Sequence, residues 1–160
     1  MKVNVEPAVE HHLEQLNDIY NQYVLETHYT FDLEPISMEA RRQWFSHYAS
    51  SGPHRLFVAL AEAKVVGYAS SSRFRPKPGY ITSVETSIYL AADAVGRGVG
   101  TRLYEELFDS LKGEDVHRAY AGIALPNQAS IAASRMAGSA PASISAPSVM
   151  SPEMPEKQSK

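Results

Sequence analysis

Residues 82–101 read TSVETSIYLAADAVGRGVGT and join a strand-like run to a glycine-dense turn and a helix, which limits the possible folds strongly. Glycines alternate with other residues at 96, 98 and 100, so backbone amides can approach a ligand closely there. The following helix adds N–H groups without intrahelical partners and the positive end of its dipole. The segment therefore predicts a phosphate-binding site. Glu85, one strand length upstream, suggests group transfer from a phosphate-bearing carrier.

Composition excludes several other classes of function. The 160 residues have a net charge of −3 and a pI of about 6.1, which implies no basic surface for nucleic acid. The sequence contains no cysteine, so disulfides, thiolate metal sites and a cysteine nucleophile are excluded, and a reducing compartment is favoured. It shows neither the apolar core of a signal peptide nor a run of roughly 18 apolar residues. We therefore expect a cytoplasmic protein that binds neither nucleic acid nor membrane.

Hydrophobic periodicity predicts the elements of an α/β fold. Alternating patterns predict strands over 2–5, 56–61, 65–71, 80–90 and 118–125, with a hairpin turn at 62–64. Apolar residues at three-and-four spacing predict helices over 13–24, from a Ser37 N-cap to Tyr48, and over 102–111. The order is strand, two helices, three mostly antiparallel strands, helix and strand. It predicts a mixed sheet with helices on its faces.

The composition changes after Ile131. Residues 133–160 contain five Ala, seven Ser and four Pro, which make up sixteen of the 28 positions, and no aromatic residue. Such a segment cannot bury enough apolar area to offset the entropy lost on ordering. The sequence thus predicts one folded domain over 1–132 and a disordered, low-complexity tail over 133–160.

Several short motifs occur in a joint order and spacing that is more specific than any one of them. They are Ile19–Val24, Thr30-Phe31, Trp44-Phe45, Val66–Ser70, Phe74-Arg75, Val84–Leu90, Gly96–Gly100, Leu125–Asn127 and Ala129-Ser130. From about Asn4 to Ile131, four fifths of its length, the chain resembles the phosphinothricin N-acetyltransferase branch of the GNAT superfamily.

This resemblance implies a GNAT fold, acetyl-CoA as the acyl donor and a small amino-acid-like acceptor of the phosphinothricin or methionine sulfoximine class. It also implies a homodimer. Two departures stand out. Val95 replaces the usual Arg or Gln at the entrance to the pyrophosphate loop, where weaker cofactor contact is expected. After Ile131 the sequence changes abruptly, as a frameshift would leave it, so the family's final helix and last two strands are expected to be missing.

By resemblance, Glu85 is the catalytic base. An amino-acid amine is mostly ammonium at neutral pH and must lose a proton before it attacks a thioester. Beside apolar Val84 and Ile88, a partly buried carboxyl group has a raised pKa, which suits a base. The alternative is a solvated strand carboxylate that pairs with a nearby lysine or arginine.

The resemblance also implies a set of residues that bind the donor. The pantetheine arm would lie beside the strand edge of Ile88, Tyr89 and Leu90, with a backbone N–H near Tyr89 facing the developing oxyanion. Contacts to the pyrophosphate and the rest of the arm are expected from Gly96, Arg97, Gly98, Val99, Gly100, Thr101, Asn127 and Ser130. The alternatives are a core aromatic for Tyr89, a plain helix start for the glycines and a turn residue for Asn127.

For the acceptor, the resemblance implies contacts from a proline-rich loop and the strand that follows it. Arg75 and Lys77 would bind the acceptor's carboxylate or phosphinate, with Phe31 and Tyr80 as pocket walls and Ser87 as a further contact. The alternative is that these cations are solvated loop charges.

Other chemistries find less support in the sequence. The six histidines have no metal-ligand spacing on a common element, and Ser70–Ser72 lies outside a nucleophile-elbow motif. The glycine spacing is not that of a dinucleotide-binding turn. Two functions remain: an acetyl-CoA-dependent N-acetyltransferase, or a catalytically impaired remnant of that fold that at most binds CoA or a partner.

Overall fold

The structure is a computed structural model that describes residues 1–26 and 32–121 and the backbone of 142–143. The strands are β1 (Asn4–Pro7), β2 (Leu56–Ala61), β3 (Lys64–Arg73), β4 (Ser83–Leu90), β5 (Arg118–Ala121) and β6 (Ala142–Ser143). The helices are α1 (Leu13–Glu26), α2 (Met38–Phe45) and α3 (Val99–Leu111). Short 3₁₀ turns occupy Glu10–His12, Pro78–Tyr80 and Ala92–Ala94.

The strands form one mixed sheet whose spatial order follows the order of the chain, β1-β2-β3-β4-β5-β6. β1 to β4 pair antiparallel, whereas β5 runs parallel to β4 because α3 returns the chain to the same end of the sheet. The mixed, mostly antiparallel sheet flanked by helices is the predicted fold class, which is confirmed.

Helices cover both faces of this sheet and create two apolar cores. On one face, α3 buries Leu103, Leu107 and Phe108 against residues that include Val84 of β4. On the other, Leu16 and Ile19 of α1 pack against Val58 and other residues of β2 and β3. Because side chains alternate along a strand, each β4 residue belongs to one of these two faces.

Two turns explain small differences from the predicted boundaries. Glu62 and Ala63 adopt positive φ angles of 49° and 67°, so a two-residue turn closes the β2–β3 hairpin and Lys64 already belongs to β3. α2 begins after the predicted cap, with the Ser37 hydroxyl accepting from the Ala40 amide, but it ends at Phe45. The amide of Tyr48 then bonds the carbonyl of Phe45 in a tighter, 3₁₀-like turn.

Other predicted boundaries also move. β1 starts at Asn4 instead of Lys2 and ends at Pro7, which an edge strand tolerates because one side of it needs no amide donor. β4 starts at Ser83, since Pro78–Tyr80 forms a 3₁₀ turn. α3 starts at Val99, three residues before the predicted position, because Gly98 takes a left-handed conformation and ends the loop there.

The predicted tail over 133–160 lies outside the described residues except for the backbone of β6, a two-residue strand parallel to β5. The second half of the predicted strand over 118–125 also lies outside them, as do Phe31, Asn127 and Ser130.

Candidate active site

Glu85 lies on the sheet face covered by α1 and α2. Val84, Ile88 and Leu90 pack into the α3 core, and Tyr89 packs into the α1 core, so alternation places Glu85 and Ser87 on the same side as Tyr89. The side chain is partly buried, and burial raises the pKa of the Glu85 carboxyl group above its ordinary value. A carboxyl group of this kind holds a proton more readily than a solvated one, as a general base requires.

Aromatic rings form a wall beside Glu85. Tyr120 of β5 is the register partner of Glu85, so the two side chains stand next to each other on parallel strands. The Tyr120 ring stacks on Phe74, with centroids 4.2 Å apart and planes 13° apart, and Phe74 in turn meets the edge of Tyr80 at 5.5 Å. These three rings make an apolar platform at the end of the sheet where β4 begins.

Two of the predicted acceptor-binding residues sit at this platform. The guanidinium carbon of Arg75 lies 5.1 Å from the centroid of Phe74 and 5.7 Å from that of Tyr80, and the Arg75 side chain is exposed. The structure thus brings Arg75 and Tyr80 together at the Glu85 end of β4. Lys77 is exposed in the same loop and precedes the 3₁₀ turn that carries Tyr80.

The side chain of Tyr89 packs against the α1 core. Its ring stacks on Tyr68 at 5.4 Å and meets the edges of Tyr20 and Tyr23. Burial, aided by nearby carboxylates that include Glu85, raises the pKa of Tyr89 to about 12. The hydroxyl is therefore neutral at physiological pH. The backbone of Tyr89 pairs with Tyr68 of β3, so the predicted backbone contact to the donor has to come from a neighbouring residue.

The end of β4 is tied to α1 through its backbone. The Tyr23 hydroxyl donates to the Leu90 carbonyl at 2.8 Å, and the Leu90 amide approaches the same hydroxyl oxygen at 3.4 Å. The side chains of Ile88 and Leu90 face the α3 core. Any donor contact from these two residues must come from the backbone, and at Leu90 it would compete with Tyr23.

β4 leads through a short loop to an open helix start. Gly96 and Gly98 have φ angles of 74° and 79°, and a Cβ built on either would meet no atom of a described residue within 4 Å apart from its chain neighbours. The amide of Arg102 bonds the carbonyl of Gly98, so the amides of Val99, Gly100 and Thr101 have no acceptor within α3. No side chain of the described ranges caps the helix, and its first turn has no acidic residue. The loop geometry fits a bound phosphate.

The two parts of the site are joined by β4. Along the strand, Glu85 and Leu90 are about 17 Å apart at a rise of roughly 3.3 Å per residue. β5 pairs with β4 from Ser83 to Thr86. Among the described residues no strand lies alongside 87–90 on that side. α3 and Glu85 lie on opposite faces of the sheet, so a ligand that joins them would pass the edge beside 87–90, where the described residues provide no strand.

A scan for known families now identifies the fold. Residues 13–138 match the family described as acetyltransferase (GNAT) family. The chain belongs to this family. Phosphinothricin N-acetyltransferase from Streptomyces coelicolor is 55% identical over 131 residues, which cover 81% of this chain and 77% of that protein. An L-methionine sulfoximine/L-methionine sulfone acetyltransferase from Pseudomonas aeruginosa is 33% identical over 120 residues, covering 75% and 70%.

Solved structures of GNAT proteins agree with these relatives. A GNAT superfamily phosphinothricin acetyltransferase from Sinorhizobium meliloti, solved in complex with acetyl-CoA, superposes with a TM-score of 0.77 at 31% identity. The match covers 86% of this chain and 75% of that structure. The predicted GNAT family is confirmed, and acetyl-CoA is the co-substrate bound in this homologue.

Some features of this GNAT site were not predicted from sequence. Tyr120 and Phe74 are 35 and 11 residues from Glu85 along the chain, and only the strand register brings them next to it. The alternation of β4 and a following strand over 118–125 are evident in the sequence, but the register that pairs Glu85 with Tyr120 is not. Within 1–26 and 32–121, no group of three His, Asp or Glu side chains could hold a metal ion, and no helix is long and apolar enough to cross a membrane.

Proposed function

We propose that this protein transfers an acetyl group from acetyl-CoA to the amino group of a small amino-acid-like acceptor of the phosphinothricin or methionine sulfoximine class. One observation carries the proposal. A partly buried carboxyl group, Glu85, stands on the strand that leads directly into the open N-terminus of α3. The 55% identity to a phosphinothricin N-acetyltransferase supports the choice of acceptor class.

Glu85 acts as the base. It takes a proton from the acceptor ammonium, directly or through water, and the neutral amine then attacks the thioester carbonyl carbon. The C–N bond forms, the C–S bond breaks, and the proton that the nitrogen loses as it becomes an amide goes to the departing thiolate. Because burial raises the pKa of Glu85, its affinity for this proton is greater than that of a solvated glutamate.

The glycine turn and the first turn of α3 hold the donor. The amides of Val99, Gly100 and Thr101 face no acceptor within the helix and would bond pyrophosphate oxygens. Positive φ angles at Gly96 and Gly98 set the turn, while Arg97 adds a positive charge. The backbone of 88–90 would align the pantetheine arm, and a backbone N–H near Tyr89 would stabilise the oxyanion. Asn127 and Ser130 complete the proposed donor contacts.

The aromatic platform beside Glu85 receives the acceptor. Arg75, whose guanidinium lies over Phe74 and Tyr80, would bind the acceptor carboxylate, with Lys77 adding charge at the rim. Ser87, next to Glu85 on the same face, and Phe31 are further proposed contacts. By family resemblance we also propose that the protein is a cytoplasmic homodimer.

The test measures donor binding and turnover separately. Acetyl-CoA affinity is measured by calorimetry on protein of known oligomeric state, and CoA thiol release is then followed with phosphinothricin or methionine sulfoximine. We expect Glu85→Gln to lower kcat by about 10²- to 10⁴-fold with little change in acetyl-CoA affinity. Glu106→Gln, on the exposed side of α3, is the control. An unchanged rate in Glu85→Gln removes this residue from the mechanism, and donor binding without any thiol release favours the impaired remnant.

A further inference from the structure

Arg41 of α2 is a charged side chain in the interior of the α1 face. It is only 4% exposed. Its guanidinium carbon lies 4.7 Å from the ring centroid of Tyr20 and 4.5 Å from that of Trp44, so two aromatic faces surround the cation. Such stacking offsets part of the cost of removing a guanidinium from water.

The hydrogen bonding of Arg41 is incomplete. Its Nε donates to Oδ1 of Asn17 at 2.9 Å. Neither terminal nitrogen donates a hydrogen bond to another described residue, and no carboxylate of the described ranges forms an ion pair with it. A buried guanidinium whose four terminal N–H donors have no partner within 1–26 and 32–121 is costly unless an anion satisfies them. Its planar fork matches two oxygens of a carboxylate or phosphinate.

The position of Arg41 relates it to Glu85. Burial raises the pKa of Tyr48, and the charge of Glu85 adds to this effect while that of Arg41 opposes it. The same two charges act with the same opposite signs on Tyr89. The geometry agrees with this relation: the Tyr20 ring beside the guanidinium meets the edge of Tyr89 at 5.1 Å, and the Trp44 ring meets the edge of Tyr48 at 4.7 Å. Tyr89 and Glu85 share one face of β4, so the guanidinium and the carboxyl group lie on the same side of the sheet.

We infer that Arg41 binds the side-chain acidic group of an acceptor whose amine lies at Glu85. The inference rests on the proposed function and adds a specificity determinant to it. The α-carboxylate is one carbon from the amine and belongs near Glu85 and Arg75. An acidic group at the far end of a γ-substituted side chain extends past Tyr48 and Tyr89 to the guanidinium. The site thus favours a phosphinate or carboxylate side chain over a neutral sulfone.

Trp44 offers a direct reporter of this contact. It is the only tryptophan of the chain and its ring stacks on Arg41, so its fluorescence responds when an anion binds the guanidinium. The experiment titrates wild type and variants with phosphinothricin, which has an anionic side chain, and with methionine sulfone, whose side chain is neutral. Arg42→Met is the matched control, because Arg42 is next in α2 but exposed and loosely paired with Glu10.

We expect Arg41→Met to weaken phosphinothricin binding and raise its KM by about 10- to 100-fold, while methionine sulfone and acetyl-CoA bind as in wild type. Arg42→Met should match wild type. Equal losses for both acceptors, or phosphinothricin affinity within threefold of wild type, would overturn the inference. If Arg41→Met does not fold, Arg41→Lys keeps the charge without the fork and should still weaken phosphinothricin selectively. The Trp44 fluorescence titration measures acceptor binding even if the wild type releases no thiol. A failure of the proposed catalysis can therefore be told apart from a failure of the proposed Arg41 contact.

Discussion

Glu85 and Tyr120 stand side by side on parallel strands, and the Tyr120 ring continues through Phe74 into the platform that carries Arg75. This relationship ties the electrostatics of the carboxyl group to the packing of an aromatic wall. The wall keeps water from one side of Glu85, and the raised pKa of Glu85 has burial as its cause.

Removing the Tyr120 ring should change the pH dependence of the reaction. Tyr120→Ala exposes Glu85 to water, so the pKa of the carboxyl group falls toward its ordinary value. The acidic limb of the pH profile of kcat/KM should then move to lower pH. Tyr120→Phe keeps the ring and should leave the limb in place. An identical limb in all three proteins would show that Tyr120 does not desolvate the base.

The raised pKa of Glu85 also predicts a stability change with a definite sign. A folded-state pKa above the unfolded value favours folding at low pH, and that contribution is lost as pH rises through the folded pKa. Glu85→Gln lacks the ionised form, so it should be more stable than wild type at pH 7, by less than about 1 kcal/mol because solvent screens the group. Below about pH 4 the difference should vanish. Urea unfolding at both pH values tests this, and a variant less stable at pH 7 contradicts it.

Backbone conformation at the glycine turn can be tested with one methyl group. Gly98→Ala places a Cβ on a residue with a φ of 79°, at a cost of roughly 1–2 kcal/mol, although the methyl group clashes with no residue in the described part of the chain. We expect a lower thermal midpoint and weaker acetyl-CoA binding by calorimetry. Gly113→Ala adds the same methyl group in open space without a positive φ and should change neither. Equal behaviour of the two variants would argue against a conformational role for Gly98.

Gly67 is constrained by space instead of conformation. A Cβ there would lie 2.5 Å from Cδ2 of Leu90, 3.1 Å from the Tyr89 carbonyl oxygen and 3.3 Å from Cδ1 of Leu103. Gly67→Ala should therefore lower the free energy of unfolding by about 1–3 kcal/mol in urea titrations. Because the clash pushes on the end of β4, acetyl-CoA affinity should fall as well. Full affinity together with full stability would mean that β4 and α3 can move apart.

The sequence predicted those elements whose signals are local. The Ser37 cap, the bounds of β2 and the start of α1 follow from neighbouring side chains, and all agree with the structure. Boundaries failed where backbone conformation decided them, as at Gly98, whose left-handed φ lets α3 begin three residues earlier than its polar and apolar pattern indicates. The pattern of polar and apolar residues alone does not show the φ angle that a glycine adopts.

The residues of the candidate site also differ in whether local sequence predicts them. Glu85 and the glycine turn share one continuous segment, so sequence could name them together. Tyr120, Phe74 and Arg41 come from other elements, and their places depend on strand register and helix packing. In the sequence, Arg41 and Arg42 are two adjacent arginines of a helix that is expected on the surface. In the structure, Arg41 is buried between two aromatic rings and Arg42 is exposed. Such a difference depends on the rotation of α2 about its axis, which a single short helix specifies weakly.

The agreement between strand order and chain order has a consequence for biosynthesis. Each strand from β2 onward is laid down beside the strand made just before it. A nascent chain can therefore add each new strand to the same edge of the sheet as it leaves the ribosome. No late strand has to insert between two earlier ones. β5, which pairs with the Glu85 end of β4, joins this edge of the sheet only after all of α3 has been made, so the carboxyl group gains its Tyr120 neighbour later than its own strand is formed.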